Sequence, residues 1–191
     1  MAYVVLLGDE VHNFMRGLQL EILEEFGVNL GLSAPPHVTL KLGFFAPDVR
    51  PFARHVADLA LSIRPFTLRF NGIGFFPEGF AYLGVDHDGE LEALRRQVVA
   101  QVNDRFGVEP YALERGTDYK LHATLAHGLT RAEFEAVQKR LRDVRVDLSC
   151  PVTHLALIFR WTERWVTFHR AALAGESSTS PDLRPGVVGV S

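Results

Sequence analysis

The tetrapeptide His-x-Thr-Leu occurs twice in this chain of 191 residues, at residues 37–40 and again at 122–125. Each copy follows an apolar strand pattern and a helical pattern, and each is followed by a further helical pattern and strand pattern. Two copies of one unit usually pack about a pseudo-twofold axis, which would bring the two motif strands face to face. The repeat therefore predicts one site built from both halves.

The first half contains four elements besides its motif. A short apolar run at 3–7 predicts a strand, and apolar residues at 3.6-residue spacing predict a helix over 9–26 that ends at Gly27. After the motif, Pro and Asp open a helix over about 47–63, and the segment 66–73 predicts a strand. The order is strand, helix, motif, helix, strand.

The second half has the same order. Residues 80–86 predict a strand, and Asp88 is the expected cap of a helix that ends at Gly107. A capping box at 130–133 predicts the helix after the second motif. Strand patterns then lead to a polar turn at 160–164, which predicts a final hairpin.

On a strand, alternate side chains share a face, so each motif is expected to show a polar face with an imidazole, a hydroxyl and a cation. The six residues of these faces are His37, Thr39 and Lys41 in the first copy and Lys120, His122 and Thr124 in the second.

Two imidazoles across a cleft suit displacement at phosphorus, because a neutral His accepts the attacking group's proton while a protonated His gives one to the leaving oxygen. With a reference pKa near 6.5, His has both forms available near neutral pH. Thr39 and Thr124 could donate hydrogen bonds to phosphate oxygens, and Lys41 and Lys120 would attract the anion. Such a pair predicts a bell-shaped pH profile.

Other functions remain open at this point. The His pair could serve only as hydrogen-bond donors in a non-catalytic module that binds RNA ends or nucleotides. A zinc site of His37, His122 and a third His such as His127 is also conceivable, although no His-x-x-x-His or His/Cys cluster occurs. A structural or interaction protein is disfavoured, since packing needs no repeated His.

The composition limits the partners. A net charge of −3 and a pI near 6.2 give no global basic field for long nucleic acid, which favours a short or small substrate. The single Cys150 excludes an internal disulfide, and no signal peptide or membrane span is predicted, so we expect a cytoplasmic monomer. We expect one bilobal domain over 1–174 and a disordered tail over 175–191.

Aromatic side chains could supply a base-stacking platform, although most are expected in the core. The candidates are Phe44, Phe45, Phe75, Phe76, Tyr82, Trp161 and Trp165. The two Trp residues are the strongest, because they bracket a polar turn where full burial is difficult.

The paired motifs inside duplicated β-α units resemble the 2H phosphoesterase superfamily, named for its paired His-x-Thr/Ser-x motifs, over roughly residues 3–172. The ordered segments PPHVTLKLGFF, FNGIGFFPEGFAYLGV and LHATLAHG resemble most the bacterial RNA 2',3'-cyclic phosphodiesterases, also called 2'-5' RNA ligases. The resemblance implies a bilobal α+β fold with antiparallel sheets around a V-shaped cleft, and no metal or other cofactor.

The resemblance also implies that His37 and His122 are catalytic and that Thr39 and Thr124 bind phosphate. The implied activity is hydrolysis of 2',3'-cyclic phosphates, at RNA ends or on small nucleotides, to 2'-phosphates, with 2'-5' ligation as a possible reverse reaction. We assign His122 as the base on the attacking water and His37 as the acid on the departing 3' oxygen. Pseudo-symmetry leaves the opposite assignment open.

Overall fold

The computed structural model describes residues 1–86, 89–116 and 119–174. Within these ranges the strands are β1 (Ala2–Leu6), β2 (His37–Lys41), β3 (Phe66–Phe76), β4 (Phe80–Asp86), β5 (His122–Ala126), β6 (Leu148–Val152), β7 (His154–Trp161) and β8 (Arg164–Ala172). The helices are α1 (Asp9–Phe26), α2 (Arg50–Ala60), α3 (Glu90–Phe106), the short α4 (Ala112–Arg115) and α5 (Arg131–Leu141). A 3-10 turn spans Leu30–Ser33.

These strands form two four-stranded sheets in which every neighbouring pair is antiparallel. The first sheet has the order β2-β1-β7-β8 and is covered by α2 and α3, while the second has the order β5-β4-β3-β6 and is covered by α1 and α5. The predicted α+β fold with two antiparallel lobes is therefore confirmed. None of the helices in the described ranges is long and apolar enough to cross a membrane.

The two halves of the sequence are interleaved. The first sheet joins β1 and β2 from the first half to β7 and β8 from the second, and the second sheet joins β4 and β5 to β3 from the first half. Helix α1 of the first half packs on β5, and α3 of the second half packs on β2. Neither half of the sequence therefore encloses a lobe of its own.

Local signals explain most element limits. Helix α1 has the predicted bounds, and Gly27 ends it in the left-handed region with φ of 72°. Thr130 caps α5 through the predicted capping box with Glu133. Helix α2 is shorter than predicted, because the Asp48 carboxylate accepts the backbone N–H of Arg50 (3.0 Å) and the helix begins only there. The expected cap Asp88 and the expected tail at 175–191 lie outside the described residues.

The main core fills the space between each sheet and its helices, and it includes the buried Cys150. A second, smaller apolar cluster lies on the opposite face of the first sheet. It consists of Ala2, Val4, Ala156 and Ile158, with Leu6 and Trp165 packed against them. Since Ala2, Ile158 and Trp165 also line the cavity beside the motifs, the first sheet gives the site an apolar floor.

Candidate active site

The two motif strands lie at corresponding places in the two sheets. Strands β2 and β5 are the edge strands of their sheets, and they contact each other across the gap between the lobes. On β2, His37 pairs with Leu6 of the neighbouring strand, and on β5, His122 pairs with Gly84. The predicted meeting of the two motifs is therefore observed.

A β-bulge follows the Thr of each motif. On β2 the register passes from Thr39 to Lys41 without a partner for Leu40, and on β5 it passes from Thr124 to Ala126 without a partner for Leu125. A bulge breaks the alternation of faces. The two residues after each Thr are consequently both buried, while His and Thr are partly exposed.

The prediction that Lys41 shares the polar face with His37 and Thr39 is wrong, because the bulge turns Lys41 into the interior. Its side chain is fully buried, and Nζ donates to Glu114 Oε2 at 2.7 Å. Glu114 also accepts the backbone N–H groups of Leu42 (2.7 Å) and Tyr111 (2.9 Å). Lys41 thus anchors α4 to the end of β2 and is not placed to bind phosphate.

Lys120 remains near the site, at an exposed position beside His122. Its Nζ lies 5.0 Å from the ring centroid of Tyr82, and that ring lies 5.2 Å from the His122 ring. Phe76 completes the aromatic support of His122 at 5.1 Å. The phosphate-binding role of Lys120 stays a prediction.

Both imidazoles are oriented by the same device. Nδ1–H of His37 donates to the carbonyl oxygen of Pro35 at 2.6 Å, and Nδ1–H of His122 donates to that of Lys120 at 2.7 Å. Because a carbonyl oxygen only accepts, each bond assigns the Nδ1 proton to the neutral ring. Nε2 of each ring is then the nitrogen that can exchange a proton with substrate.

Burial lowers the pKa of both imidazoles below the ordinary value. For His37, desolvation is the main cause, the bond to Pro35 opposes it, and the charge of His122 lowers the pKa further. For His122, desolvation again dominates, and the positive charge of Lys120 adds to it against the bond to the Lys120 carbonyl. A positive charge on His122 therefore disfavours protonation of His37.

A cavity of about 340 Å³ lies between the two motifs. His37, Thr39 and Trp165 line it from the first sheet, and Thr124 and His127 line it from the second lobe. His122 contacts Phe76 and Tyr82 and is not part of this lining. The volume lies within the usual range for sites that bind small ligands.

A buried glutamine on α1 ties the site together, and the sequence patterns did not single it out. Gln19 Nε2 donates to the carbonyl oxygens of Gly31 (2.8 Å) and Thr124 (3.2 Å), and Arg16 donates to Gln19 Oε1 (2.9 Å) and Ala34 O (2.7 Å). The segment before His37 is thereby held against the strand that carries Thr124. The sequence marks Gln19 only as a polar residue on the apolar face of α1.

Three further aromatic or imidazole groups have distinct positions. His127 stacks on Phe80 at 5.7 Å, and both line the cavity. Trp165 forms part of the cavity wall, whereas Trp161 is 66% exposed. Of the stacking candidates, Phe44 and Tyr82 are buried, in contrast to Phe45, which is 88% exposed.

Across the described ranges, no three His, Cys, Asp or Glu side chains lie close enough to hold a metal ion. A zinc site of His37, His122 and His127 therefore has no support from the geometry. Metal independence itself remains a prediction.

Comparisons with known proteins agree with this geometry. A Bacillus cereus strain B4264 protein, named provisionally as a phosphoesterase, is 26% identical over 148 residues, which cover 75% of this chain and 81% of that protein. The structure of TT0787 from Thermus thermophilus has a TM-score of 0.64 at 22% identity and covers 92% of this chain and 98% of its own. Escherichia coli LigT complexed with 3'-AMP has a TM-score of 0.62 at 19% identity, covering 90% and 96%.

These two solved structures share the fold at low identity. The family model of the 2'-5' RNA ligase superfamily matches residues 7–162, a range that includes both His-x-Thr motifs and the strands from β2 to β7. The chain therefore belongs to the 2'-5' RNA ligase superfamily of 2H phosphoesterases.

Proposed function

We propose that this protein is a metal-independent phosphodiesterase that hydrolyses 2',3'-cyclic phosphates, at RNA ends or on small nucleotides, to 2'-phosphates. One observation carries the proposal: two His-x-Thr motifs approach each other from opposite lobes, with the tautomer of each imidazole assigned by a backbone carbonyl. Membership of a phosphoesterase superfamily supports the reaction class.

The proposed reaction uses one imidazole on each side of the phosphorus. His122 in its neutral form takes a proton from water through Nε2, and the water oxygen forms a new bond to phosphorus. The bond from phosphorus to the 3' oxygen breaks, and protonated His37 gives that oxygen its proton. The product carries a 2'-phosphate and a free 3' hydroxyl, and proton exchange with solvent restores the starting forms.

The same groups would serve ligation. If the 5' hydroxyl of a second RNA replaces water, its attack on the cyclic phosphate with departure of the 3' oxygen creates a 2'-5' linkage. In the reverse reaction the two imidazoles exchange roles. We therefore propose hydrolysis as the main activity and ligation as the secondary one, because ligation needs a second RNA in the site.

The hydroxyls of Thr39 and Thr124 are proposed to bind the non-bridging phosphate oxygens. Both side chains line the cavity from opposite lobes. Hydrogen bonds to a charged group are each worth about 1.5–3 kcal/mol. These hydrogen bonds and the Lys120 ammonium would favour binding of the anionic phosphate. Burial of the two imidazoles, by contrast, favours their neutral forms.

A nucleotide is the favoured substrate class. The LigT comparison structure holds 3'-AMP, a small nucleotide. The cavity between the motifs of this protein has a volume of about 340 Å³, which suits a ligand of that size. The net charge of −3 adds no long-range attraction for a polyanion. A short RNA end or a mononucleotide therefore suits the site better than a long duplex.

The test is product formation from 2',3'-cyclic AMP and from a short RNA with a 2',3'-cyclic phosphate, both in EDTA. Wild type should release 2'-phosphates, and His37→Ala and His122→Ala should each lose about 10²- to 10⁴-fold in rate. His154→Ala, which alters a His outside the cavity lining, should keep full activity. If the protein binds both substrates without turnover, the proposed enzymatic function is wrong, and a non-catalytic module that binds RNA ends or nucleotides is the better interpretation.

A further inference from the structure

A second groove lies directly beside the catalytic cavity, at the end of the first sheet. It has a volume of about 410 Å³ and shares Gly43 and Trp165 with the cavity. A Cβ added to Gly43 would lie 3.2 Å from Trp165 Cη2, so the indole packs closely over this glycine. The two spaces therefore meet at Gly43 and Trp165.

Aromatic rings form the walls of this groove, which we call the aromatic groove. Phe45 is 88% exposed, Tyr111 is 50% exposed, and Phe159, which also lines the groove, is partly exposed. An exposed cluster of large apolar side chains commonly marks a binding surface. Because every base has a π-face, exposed rings of this kind suit nucleobases of any identity.

The Tyr111 ring is held in place before any ligand binds. Its hydroxyl donates to the carbonyl oxygen of Gly43 at 2.8 Å, and the buried Lys41 ammonium lies 4.8 Å from its ring centroid. A ring that is already ordered loses little conformational entropy on stacking. The buried Lys41–Glu114 pair, which does not touch phosphate, thus supports this wall of the groove.

The charge at the groove also suits a nucleotide. Arg160 lines the groove and is 59% exposed, with a distant partner in Glu163 at 3.9 Å. The described residues that line the groove include no acidic side chain. An exposed guanidinium beside aromatic rings can contact a phosphate while the neighbouring base stacks.

We propose that the aromatic groove binds the penultimate nucleotide of an RNA whose 3'-terminal cyclic phosphate occupies the catalytic cavity. Its base stacks on Phe45 and Tyr111, and Arg160 contacts the phosphate that links the two nucleotides. This inference rests on the proposed function and extends it, because it makes an RNA end a better substrate than a mononucleotide.

The experiment compares kcat/KM for 2',3'-cyclic AMP with that for the dinucleotide ApA ending in a 2',3'-cyclic phosphate. Wild type should prefer the dinucleotide by about 10- to 100-fold, the range expected for one stacked base. Phe45→Ala should lose most of this preference without changing kcat/KM for cyclic AMP, and Phe45→Trp should restore it. Leu61→Ala, which removes a 72% exposed apolar side chain elsewhere, is the matched control.

Equal kcat/KM for the two substrates in wild type, or an equal loss for both in Phe45→Ala, would overturn the proposal. A direct binding measurement separates this failure from a failure of the proposed function. The dissociation constants of 2'-AMP and of ApA with a terminal 2'-phosphate are measured for the same variants. Tighter dinucleotide binding that is lost in Phe45→Ala supports the groove even without turnover.

Equal dissociation constants would overturn the proposal in that case too. Self-association of wild type that is lost in Phe45→Ala, with nucleotide affinity unchanged, would assign the aromatic groove to a protein contact instead.

Discussion

Each motif imidazole is oriented by the carbonyl oxygen two residues before it, so the arrangement is local to each strand. Pro35 serves His37 and Lys120 serves His122 at nearly equal distances. The hydroxyl two residues after each His then lies on the same face, before the bulge changes the alternation. A short stretch of sequence thus places an imidazole and a hydroxyl together in each half.

The hydroxyls of Thr39 and Thr124 should each contribute to catalysis through phosphate binding. Thr39→Ala and Thr124→Ala are expected to lower kcat/KM for 2',3'-cyclic AMP by about 10- to 100-fold, because each removes one hydrogen bond to a charged group. Thr39→Ser and Thr124→Ser keep the hydroxyl and should stay within about threefold of wild type. Full activity in both Ala variants would show that these hydroxyls do not contact the phosphate.

Removal of the Lys41 charge should damage stability and not phosphate binding. Lys41→Met leaves the buried Glu114 carboxylate without its cation, which is expected to reduce the free energy of unfolding by about 3–5 kcal/mol. Urea unfolding measures the loss, and the added change Glu114→Gln should recover part of it. A Lys41→Met protein as stable as wild type would contradict the buried pairing.

Four of the six predicted site residues could be placed from sequence, since strand alternation is a local property that holds from His37 to Thr39 and from His122 to Thr124. Lys41 could not, because a bulge depends on how the neighbouring strand pairs. Glu114 and Gln19 gave no motif signal, as their partners are distant in the chain.

At the scale of elements, the segment before β2 is clamped between α1 and β5. Gly31 lies so close to β5 that an added Cβ would overlap the carbonyl oxygen of Leu125. Together with the Gln19 bonds, this contact fixes the lobe that carries His37 against the lobe that carries Thr124. The distance between the two motifs is therefore set by backbone packing.

Two glycine substitutions should have opposite effects on stability. Gly31→Ala forces β5 and the 3-10 turn apart and is expected to lower the free energy of unfolding by about 1–3 kcal/mol. Gly17→Ala, in the middle of α1 with no atom within 4 Å of its Cβ, should raise it by about 0.5–1 kcal/mol.

Urea unfolding of both variants gives the comparison, and kcat should fall only for Gly31→Ala. A Gly31→Ala protein with unchanged stability and kcat would contradict the clamp.

Element limits were predictable where a cap or a glycine determines them, as in α1, which ends at Gly27, and α5, which follows Thr130. The start of α2 was not, because Asp48 forms a turn with Arg50 before the helix. The interleaving of the halves also could not be predicted, since the pairing of β1 with β7 and of β3 with β6 is decided by long-range packing.

At the scale of the whole molecule, burial of histidines couples stability to pH. Desolvation lowers the pKa of His37, His55 and His122, so below about pH 6.5 the unfolded chain binds protons that the folded chain does not. The free energy of unfolding should therefore fall as the pH decreases from about 7 to 5. The lowered carboxyl pKa of Glu92 acts at more acidic pH and leaves this window to the histidines.

Urea titrations at several pH values test this dependence. The double variant His37→Asn with His122→Asn should show a weaker decrease, because two of the groups no longer titrate. A pH-independent unfolding midpoint between about pH 7 and 5 in wild type would contradict the burial of these rings.

The duplication in the sequence was sufficient to predict one site built from two halves, because similar units tend to pack symmetrically. It could not predict the aromatic groove, which brings together the end of β2, Tyr111 and the β7–β8 hairpin. These segments lie far apart in the chain and meet only after folding.

The central claim, that His37 and His122 act as an acid and base pair, is tested most directly by the pH dependence of kcat/KM for 2',3'-cyclic AMP in EDTA. Because both pKa values are lowered in the free protein, we expect a bell-shaped profile with its maximum below about pH 6.5, and each single His→Ala variant should lose one limb. A flat profile between about pH 5 and 8, or full activity in either variant, would contradict the paired mechanism.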